Sequence, residues 1–423
     1  MNVKKKAGNS LYCRDQSNNI MNTSFLYHAF GLADLEYTST KYEDKSIILN
    51  VQTSALKLRC SCCGSKHFVR NGFVIRPIRC VPIGNKPVVL RMKVQRLKCK
   101  DCKTDRQENI RFTTGNASYT HRLARLVICL LRFSTIKDVA GFLHLSWNTV
   151  KEIHKRYLHR HFAYPDIRNV QNIGIDEFAA KKGHIYKTIV VDLDTGHIIY
   201  VGNGKGADSL RKFWKKVKKY KVQIKNVATD LSAAFIASVS ENAPKATHVF
   251  DHFHVVKLMN EAIDDIRRSA YAQEKDLNKR KVLKGTRWLL LCNGKDIYDE
   301  KFKSRLDNAL EMNKPLAQAY YLKESLKEIW QQITKEQAEV VLEDWVKQAK
   351  DSKLPRLIKM ANTITAHRSG ILAWYDCKIS TGKVEGINNK IKVMKRKAYG
   401  FRDDKYFELK LLGLHDNITA NFG

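Results

Sequence analysis

The stretch QNIGIDEFAAKKGHIYKTIVVDLDTGHIIYVG, residues Gln171–Gly202, predicts three consecutive β-strands. Turn signals separate the strands at residues 182–183 and at residues 194–196. Asp176 lies within the first apolar run. A carboxylate in a central strand is costly to bury unless it is paired or bound to a metal ion. The stretch therefore predicts a sheet whose first strand carries a functional acid.

A basic helix and a fourth strand follow this sheet sequence. The residues IKNVATDLSAAF, Ile224–Phe235, predict a strand that ends at Asp230 and opens into a helix. An open α/β sheet presents its ligand site at such a strand end. The order β-β-β-α-β-α, with acids on the first and fourth strands, is typical of the ribonuclease-H-like fold. In that fold the two strands are neighbours, so we expect Asp176 and Asp230 to converge.

A third acid stands in the basic stretch STGKVEGINNKIKVMKRKAYGFR, Ser380–Arg402, where Glu385 is the one acidic residue. Apolar residues recur there at helical spacing, at Val384, Ile387, Ile391 and Met394. The opposite face of this helix would carry Glu385, Asn388, Asn389, Lys392 and Arg396. A helix lying over the sheet would bring Glu385 to the two aspartates, with the nearby lysines and arginines holding the phosphate backbone.

Three carboxylates form a hard-oxygen ligand set. Such a set can bind two Mg²⁺ ions about 3.5–4 Å apart, which suits in-line attack at phosphorus. Mn²⁺ takes the same ligands, so Mg²⁺ and Mn²⁺ are both open.

Two Cys-x2-Cys pairs occur earlier in the chain. They are Cys60 with Cys63 and Cys99 with Cys102, and 35 residues separate the pairs. Two such knuckles on neighbouring hairpins complete a tetrahedral Zn²⁺ site, as in a zinc ribbon. Reduced buried cysteines or a redox pair are the alternatives. Cys62 is expected to be a bystander, and His67 is a possible substitute ligand.

The stretch STIKDVAGFLHLSWNTVKEIHKRY, Ser134–Tyr157, fits a helix-turn-helix with its turn at Gly141–Leu145. Ser146 suits the N-cap of the second helix. The residues expected to be exposed for major-groove contacts are Trp147, Asn148, Thr149, Lys151 and Lys155. The alternative is a three-helix packing element with a solvated basic face.

The predicted architecture is multidomain, α+β and α/β. The expected segments are an N-terminal lead-in (1–45, with one short helix near Thr23–Glu36), a zinc ribbon (46–115), a helix-turn-helix domain (116–165), the first part of a ribonuclease-H-like core (166–254), an all-helical insertion (255–370) and the C-terminal part of the core with Glu385 (371–423). In the helical insertion, Trp288, Trp330 and Trp345 are expected to anchor the core.

The charge balance narrows the choice of partner. Lys and Arg total 76 against 42 acids among 423 residues, a formal net charge of +34. Such an excess points to nucleic acid or to an anionic membrane surface. The longest apolar run, Leu123–Phe133, contains two arginines and is far too short to span a bilayer. We therefore expect a cytoplasmic, nucleoid-associated protein with reduced cysteines and no membrane partner.

The motifs IGIDEF, ATDLSAAF, VFDHFHVVKLMNEAID and GKVEGINNKIKVMKRKAYGFR resemble those of the DDE transposases of the ISL3 insertion-sequence family. The resemblance covers about residues 55–415. It implies that Asp176, Asp230 and Glu385 are a catalytic triad and that the helical block is an insertion within the catalytic fold. It also implies binding to terminal inverted repeats, cleavage and strand transfer on double-stranded DNA, and a homodimer or larger assembly on the element ends and target.

Other acids and histidines compete for these roles. Glu177 is expected to point to the opposite face of its strand. Asp251, His252 and His254 in FDHFHV would suit a zinc hydrolase, with both histidines on one face of a strand, but no third ligand follows at a suitable spacing. Asp251 and His254 are expected instead to support the edge of the active site or to contact DNA, with plain packing as the alternative. DNA contacts are expected from Asn388, Lys392, Lys395 and Arg396.

Two functions rival transposition at this point. A DNA-binding regulator, or an inactive domesticated transposase, would keep the DNA-binding modules without needing the three acids. A structure-selective nuclease, such as a junction resolvase, would use the same fold without sequence-specific modules.

Overall fold

A computed structural model describes residues 23–415 except residues 182, 380 and 381. The predicted lead-in before residue 23 lies outside the described residues. Of the described residues, those up to Tyr157 form an N-terminal unit and those from Leu158 onward form a C-terminal unit.

The secondary structure is mixed throughout. In chain order, the elements before residue 163 are α1 (Thr23–Phe30), β1 (Leu35–Glu43), β2 (Ser46–Thr53), β3 (Phe68–Ile83), β4 (Lys86–Cys99), β5 (Asp105–Gln107), α2 (His121–Leu130), α3 (Ile136–Phe142) and α4 (Trp147–Phe162). The later elements are β6 (Asn172–Lys181), β7 (Ile185–Asp192), β8 (Ile198–Asn203), α5 (Ala207–Tyr220), β9 (Asn226–Thr229), α6 (Ala233–Asn242), β10 (Thr247–Phe250), α7 (His252–Gln273), α8 (Leu277–Gly285), α9 (Arg287–Leu291), α10 (Glu300–Met312), α11 (Lys314–Leu326), α12 (Lys335–Asp351), α13 (Pro355–Ala366), α14 (Arg368–Leu372), α15 (Gly382–Lys397) and α16 (Asp404–Leu412).

The sheet of the N-terminal unit has the strand order β1-β2-β4-β3. Strand β5 pairs with Arg96–Lys98 of β4, beyond the part of β4 that pairs with β2. Apolar side chains alternate along β4, where Val88, Leu90, Met92 and Val94 are buried, as expected for a strand with one face on a core. Strand β1 pairs antiparallel with β2 along its length. The predicted domain boundary at residue 46 therefore falls inside a hairpin, because the sheet begins before it.

Three helices complete the N-terminal unit. Thr120 and Thr135 cap α2 and α3, each accepting a backbone N–H three residues later. Helix α3 ends at Phe142, and His144 takes a positive φ of 49° in the turn that leads to α4. Ser146 Oγ accepts the N–H of Thr149 at 3.1 Å, which is the predicted N-cap contact.

The sheet of the C-terminal unit has the order β10-β9-β6-β7-β8. The strands β6, β7 and β8 are antiparallel neighbours, and β9 and β10 continue the sheet in parallel. The first and fourth strands of this unit, β6 and β9, are neighbours as expected. They pair only through Asn172–Gly174, so β6 runs on past the end of β9. Asp176 lies in this overhanging part.

Alternate residues of the central strands pack against helices on both faces of the sheet. On one face, Ile175 and Val190 join the core formed with α5 and α6. On the other face, Ile189 and Val191 pack with Val384, Ile387 and Ile391 of α15 and with α16. The result is a three-layer core in which α15 lies directly on the sheet.

Helices α7–α14 form a block between β10 and α15. Their core is continuous with Phe250 at the end of β10 and includes the fully buried Trp345. Trp330 is partly buried against this core, as predicted. The prediction for Trp288 is wrong: its side chain is 69% exposed and lies under the Arg287 guanidinium, 4.9 Å from the ring centre. Within the part of the chain that the structure describes, no helix has the length and apolarity to cross a membrane.

Candidate functional site

One cleft in the C-terminal unit collects the three acids singled out by the sequence. It has a volume of about 520 Å³, and its walls include Asp176 on β6, Asp230 after β9 and Glu385 in the first turn of α15. Three separate elements therefore bring carboxylates to one place. Other polar or aromatic side chains of the cleft are Glu177, Phe178, Thr229, Asp251, Phe253, His254, Lys257, Asn388, Lys392 and Lys395.

Asp176 has a hydrogen bond at each carboxylate oxygen. Its Oδ1 accepts the backbone N–H of Glu177 at 2.7 Å, and its Oδ2 accepts Asn388 Nδ2 at 2.5 Å. Burial raises the pKa of Asp176, and the nearby negative charge of Asp230 adds to the rise. A cation bound in the cleft would favour the ionised form.

Asp230 closes β9 and begins the turn into α6. Its Oδ1 accepts the N–H of Ser232 at 3.1 Å. The preceding Thr229 donates its hydroxyl to the Asp230 carbonyl at 2.7 Å and lies 2.8 Å from His248 Nε2. These contacts fix the backbone from which the Asp230 side chain reaches the cleft.

The Glu385 side chain makes no hydrogen bond or ion pair among the described residues. Its position is set by the packing of the neighbouring residues of α15. Val384 and Ile387, on either side of it, are buried on the sheet, while Glu385 itself is exposed to the cleft. The carboxylate oxygens of Asp176, Asp230 and Glu385 do not all lie within 4.8 Å of one another. They border a space instead of closing on a single point.

Glu177 also lines this cleft, although strand alternation predicted that it would point away. Burial and the charge of Asp230 raise the pKa of Glu177. The physical reason is the overhang of β6: beyond Gly174 the strand has no partner on the β9 side, so the cleft is open around this edge. Glu177 is thus a further carboxylate of the cleft that must be tested alongside Glu385.

Asp251 and His254 form a pair at the start of α7. Asp251 caps the helix through the N–H of Phe253 at 3.1 Å, and its Oδ2 lies 3.1 Å from His254 Nδ1. The hydrogen bond to Asp251 raises the pKa of His254, with further contributions from Asp176 and Asp230. The pair therefore favours the protonated form of His254 beside the aspartates.

The alternative zinc-hydrolase arrangement of FDHFHV is wrong in its geometry. Strand β10 ends at Phe250, and Asp251 begins a helix, so His252 and His254 do not share a strand face. His252 instead lies against Trp330, with 5.8 Å between the ring centres. The capping aspartate overrides the strand-like spacing.

The four cysteines of the N-terminal unit meet in a compact group. The Sγ–Sγ distance is 3.6 Å both for Cys60 with Cys102 and for Cys63 with Cys99. Tetrahedral zinc with Zn–S bonds of about 2.3 Å requires Sγ–Sγ distances of about 3.8 Å. Among the described residues, this is the one group of three or more His, Cys, Asp or Glu side chains whose ligand atoms all lie within 4.8 Å of one another. The four thiols fit a structural Zn²⁺.

Hydrogen bonds favour the thiolate, which is the metal-binding form, at Cys102, one of the four cysteines. A hydrogen bond with the Thr104 hydroxyl, at 3.0 Å, lowers the pKa of Cys102 to about 6. Cys62 is exposed and outside the group, as predicted, and His67 is engaged with Asp101 at 3.4 Å rather than with the cysteines.

Comparison with protein families gives one match in each unit. A family model for ISL3 transposases of the DDE type, described simply as a transposase, matches residues 173–411. A second, described as the zinc-finger of transposase IS204/IS1001/IS1096/IS1165, matches residues 57–102.

The chain belongs to the ISL3 family of transposases.

Relatives match along nearly the whole chain. The transposase for insertion sequence element IS1001 of Bordetella parapertussis is 34% identical over 388 residues, which are 91% of this chain and 95% of the relative. The transposase for insertion sequence element IS1557 of Mycobacterium tuberculosis is 27% identical over 88% of this chain and 89% of the relative. A solved Drosophila P element transposase strand transfer complex aligns with a TM-score of 0.39 and 10% identity, covering 75% of this chain and 95% of that one.

In this family member, α15 is tied to the sheet by basic and amide side chains. Lys383 Nζ donates to the carbonyls of Leu193 and Asp194 at 2.6 and 3.0 Å, and Lys395 Nζ donates to the carbonyl of Ala179. Of the residues predicted to contact DNA, Lys392 and Arg396 are exposed. Lys395 and Asn388 are instead engaged within the protein.

The predicted DNA-contacting face of α4 is only partly exposed. Trp147 is 50% exposed, and Asn148 is exposed. Thr149, Lys151 and Lys155 are half-buried, contrary to expectation. Lys151 lies 3.3 Å from Glu152 and above the Trp147 ring, which explains why its side chain is only 17% exposed. Asn148 is therefore the best-placed polar candidate on this face.

Gly174 sets how closely α15 approaches β6. A Cβ atom at this position would lie 2.7 Å from Val384 Cγ2 and 3.0 Å from Leu193 Cδ2. We predict that Gly174→Ala lowers the free energy of unfolding by about 1–3 kcal/mol through overpacking. Chemical denaturation of the purified protein measures this change.

Gly386→Ala, on α15, is the control, because nothing lies within 4 Å of an added Cβ there. Alanine in a helix interior is favoured over glycine by about 1 kcal/mol, so this variant should be as stable as wild type or more so. Equal stability of Gly174→Ala and wild type would show that the two layers can separate at no cost.

Proposed function

We propose that this transposase binds the terminal inverted repeats of its insertion sequence and catalyses metal-dependent strand cleavage and strand transfer through Asp176, Asp230 and Glu385. The observation that carries the proposal is their shared cleft: β6, the end of β9 and the first turn of α15 each present one acid to it. The strand order supports a ribonuclease-H-like core, since β6 lies beside β9 as expected for that fold.

The donor set of the cleft suits hard cations. Carboxylate oxygens are the ligands that Mg²⁺ and Mn²⁺ prefer. The half-buried Asp176 stands near the negative charge of Asp230, and each gains from a cation between them. We assign Asp176, Asp230 and Glu385 as the residues that would hold two Mg²⁺ or Mn²⁺ ions. When bound, such ions supply charge stabilisation at the attacking and leaving oxygens of an in-line displacement.

The protein side chains would orient the DNA strand for that reaction. Lys257 and Lys392 are exposed on the cleft walls and can hold phosphate oxygens. Asp251 orients His254 and favours its cationic form, which places a further positive group near the reacting phosphate. In the first step water displaces the 3′-oxygen at the element end. In the second, the freed 3′-hydroxyl attacks a phosphodiester of the target DNA and displaces the 3′-oxygen of the target strand, which leaves as a hydroxyl.

The N-terminal unit would recognise the repeat sequence. Its zinc ribbon and the helices α3 and α4 supply the two predicted DNA-binding modules, and α4 would enter the major groove with Asn148 at its exposed start. The net charge of +34 predicts binding that falls steeply with salt, because phosphate contacts release counterions. We further propose a homodimer or larger assembly on two element ends, acting on nucleoid DNA in the cytoplasm.

Asn148→Ala is expected to weaken binding to the terminal repeat by about 1–3 kcal/mol, because a base-contacting side chain carries sequence information. Binding to unrelated duplex of the same length should be unchanged. Lys137→Ala, an exposed basic residue of α3, is the control and should weaken both duplexes alike. Fluorescence anisotropy at two salt concentrations measures the affinities of wild type and both variants for the two duplexes. An equal loss on both duplexes for Asn148→Ala would assign that residue to the phosphate backbone.

Strand cleavage and joining by the wild-type protein tests the proposed function as a whole. A labelled duplex with the element end and its flank is incubated with the protein and Mg²⁺, and a scrambled end and EDTA serve as controls. We expect cleavage at the junction and joined products, both dependent on Mg²⁺. Specific binding without cleavage would favour the DNA-binding regulator. Cleavage of a four-way junction in preference to the element end would favour the structure-selective nuclease.

A further inference from the structure

Asn388 makes a contact in the cleft that the sequence did not predict. It lies one helical turn after Glu385 on α15, and its Nδ2 donates to Asp176 Oδ2 at 2.5 Å. The other oxygen of Asp176 already accepts the Glu177 backbone N–H. Asn388 therefore fixes the second half of the Asp176 carboxylate and links α15 to β6.

The orientation of the Asn388 amide follows from its partner. An ionised carboxylate accepts hydrogen bonds and cannot donate one, so the amide nitrogen must face Asp176. The amide oxygen, Asn388 Oδ1, is buried and has no hydrogen-bond partner among the described residues. A buried polar atom without a partner is costly and uncommon. Among the described residues, the hydrogen bond from Asn388 Nδ2 to Asp176 is therefore the contact that fixes the amide.

The remaining ties of α15 end elsewhere. Lys383 and Lys395 donate to backbone carbonyls of Leu193, Asp194 and Ala179. Those contacts fasten the helix to the sheet but touch no acid of the cleft. Among the described hydrogen bonds of α15, the one from Asn388 reaches an acid of the proposed site.

We propose that Asn388 is a positioning residue that holds the Asp176 carboxylate and the first turn of α15 together, so that Asp176 and Glu385 face the same metal site. This inference rests on the proposed function. It replaces the expectation that Asn388 contacts DNA. Hydrogen-bonding partners of metal ligands typically change metal affinity by about 10–100-fold when they are removed.

Direct Mn²⁺ binding to the full-length protein tests this role without relying on catalysis. Free Mn²⁺ is followed by electron paramagnetic resonance during titration of wild type, Asn388→Leu and Asn389→Leu. Asn389 is the matched control, since it is the same residue type, one position along α15 and exposed. We expect about 10-fold or greater loss of Mn²⁺ affinity for Asn388→Leu, no change for Asn389→Leu, and unchanged affinity for terminal-repeat DNA in both.

Asn388→Gln keeps the amide donor and guards against a folding artefact. It should retain Mn²⁺ affinity between those of wild type and Asn388→Leu. Wild-type Mn²⁺ affinity in Asn388→Leu would overturn the inference, as would a loss of DNA affinity without a loss of Mn²⁺ affinity, which would return Asn388 to the DNA interface. Absence of Mn²⁺ binding by the wild type would be a different failure, because it would overturn the proposed metal centre itself.

Discussion

Replacing Asp176 or Asp230 with asparagine is expected to abolish DNA strand cleavage while leaving DNA binding intact. Asparagine keeps the shape of the side chain but removes the negative charge that would hold the metal. Metal ions contribute several kcal/mol of transition-state stabilisation in such reactions, which corresponds to a rate at least about 10³-fold slower without them. Both aspartates lie in the cleft, so each loss should be of this order.

The measurement is the initial rate of cleavage of the element-end duplex, at protein concentrations that saturate the DNA. Asp194→Asn is the control, because Asp194 lies in the turn between β7 and β8, accepts hydrogen bonds from Asn172 and does not line the cleft. It should cleave at the wild-type rate. Cleavage by Asp176→Asn or Asp230→Asn within about tenfold of wild type, a loss of only about 1.4 kcal/mol, would be incompatible with either residue as a metal ligand.

Replacing Cys99 with serine is expected to remove zinc and unfold the ribbon. Cys99 is buried at the end of β4, and its Sγ lies 3.6 Å from that of Cys63. Structural Zn²⁺ contributes about 10–16 kcal/mol to folding in zinc-finger peptides, which is as large as the whole stability of about 5–15 kcal/mol of a typical folded protein. Repeat binding should therefore be lost with the metal.

Zinc content per chain and repeat affinity measure this effect. Cys62→Ser is the matched control, because Cys62 belongs to the same loop but is exposed and outside the four-cysteine group. It should retain one zinc ion and full affinity. A Cys99→Ser protein that still holds one zinc ion at wild-type affinity would show that the four thiols are not the zinc site.

Local patterns predicted the core of the C-terminal unit well. The alternation in Gln171–Gly202 predicted β6, β7 and β8, and the apolar stripe of α15 predicted which side of that helix is buried. These features can be predicted because burial of one face makes apolar residues recur at a fixed spacing within a single strand or helix. The cysteine pairs were equally legible, since the ligand spacing reflects the geometry of one ion.

Features that depend on partners distant in sequence were missed. Strand β1 reads LEYTSTKYE and buries only Leu35, so an edge strand left no apolar period to detect. Trp288 was expected inside because of its size, yet its partner is the neighbouring Arg287. Sequence alternation put Glu177 outside the site, and only the uneven length of β6 and β9 shows why it is in the cleft.

Asn388 illustrates the same limit within the site. Its place on the face of Glu385 was predicted, but the basic residues around it suggested DNA as the partner. The structure shows that Asp176, more than two hundred positions earlier, takes the amide instead. Its position one turn after a candidate metal ligand was the available signal, because ligands commonly need a hydrogen-bonding neighbour.

The most direct test of the account compares strand cleavage by Glu385→Gln and Glu177→Gln with wild type, at equal occupancy of the element-end duplex. Both glutamates line the cleft, so each controls for the other. We expect a cleavage rate at least about 10³-fold lower for Glu385→Gln, because a metal ligand is lost, and a rate near wild type for Glu177→Gln. Wild-type cleavage by Glu385→Gln would contradict the central claim that Asp176, Asp230 and Glu385 form the cleavage centre.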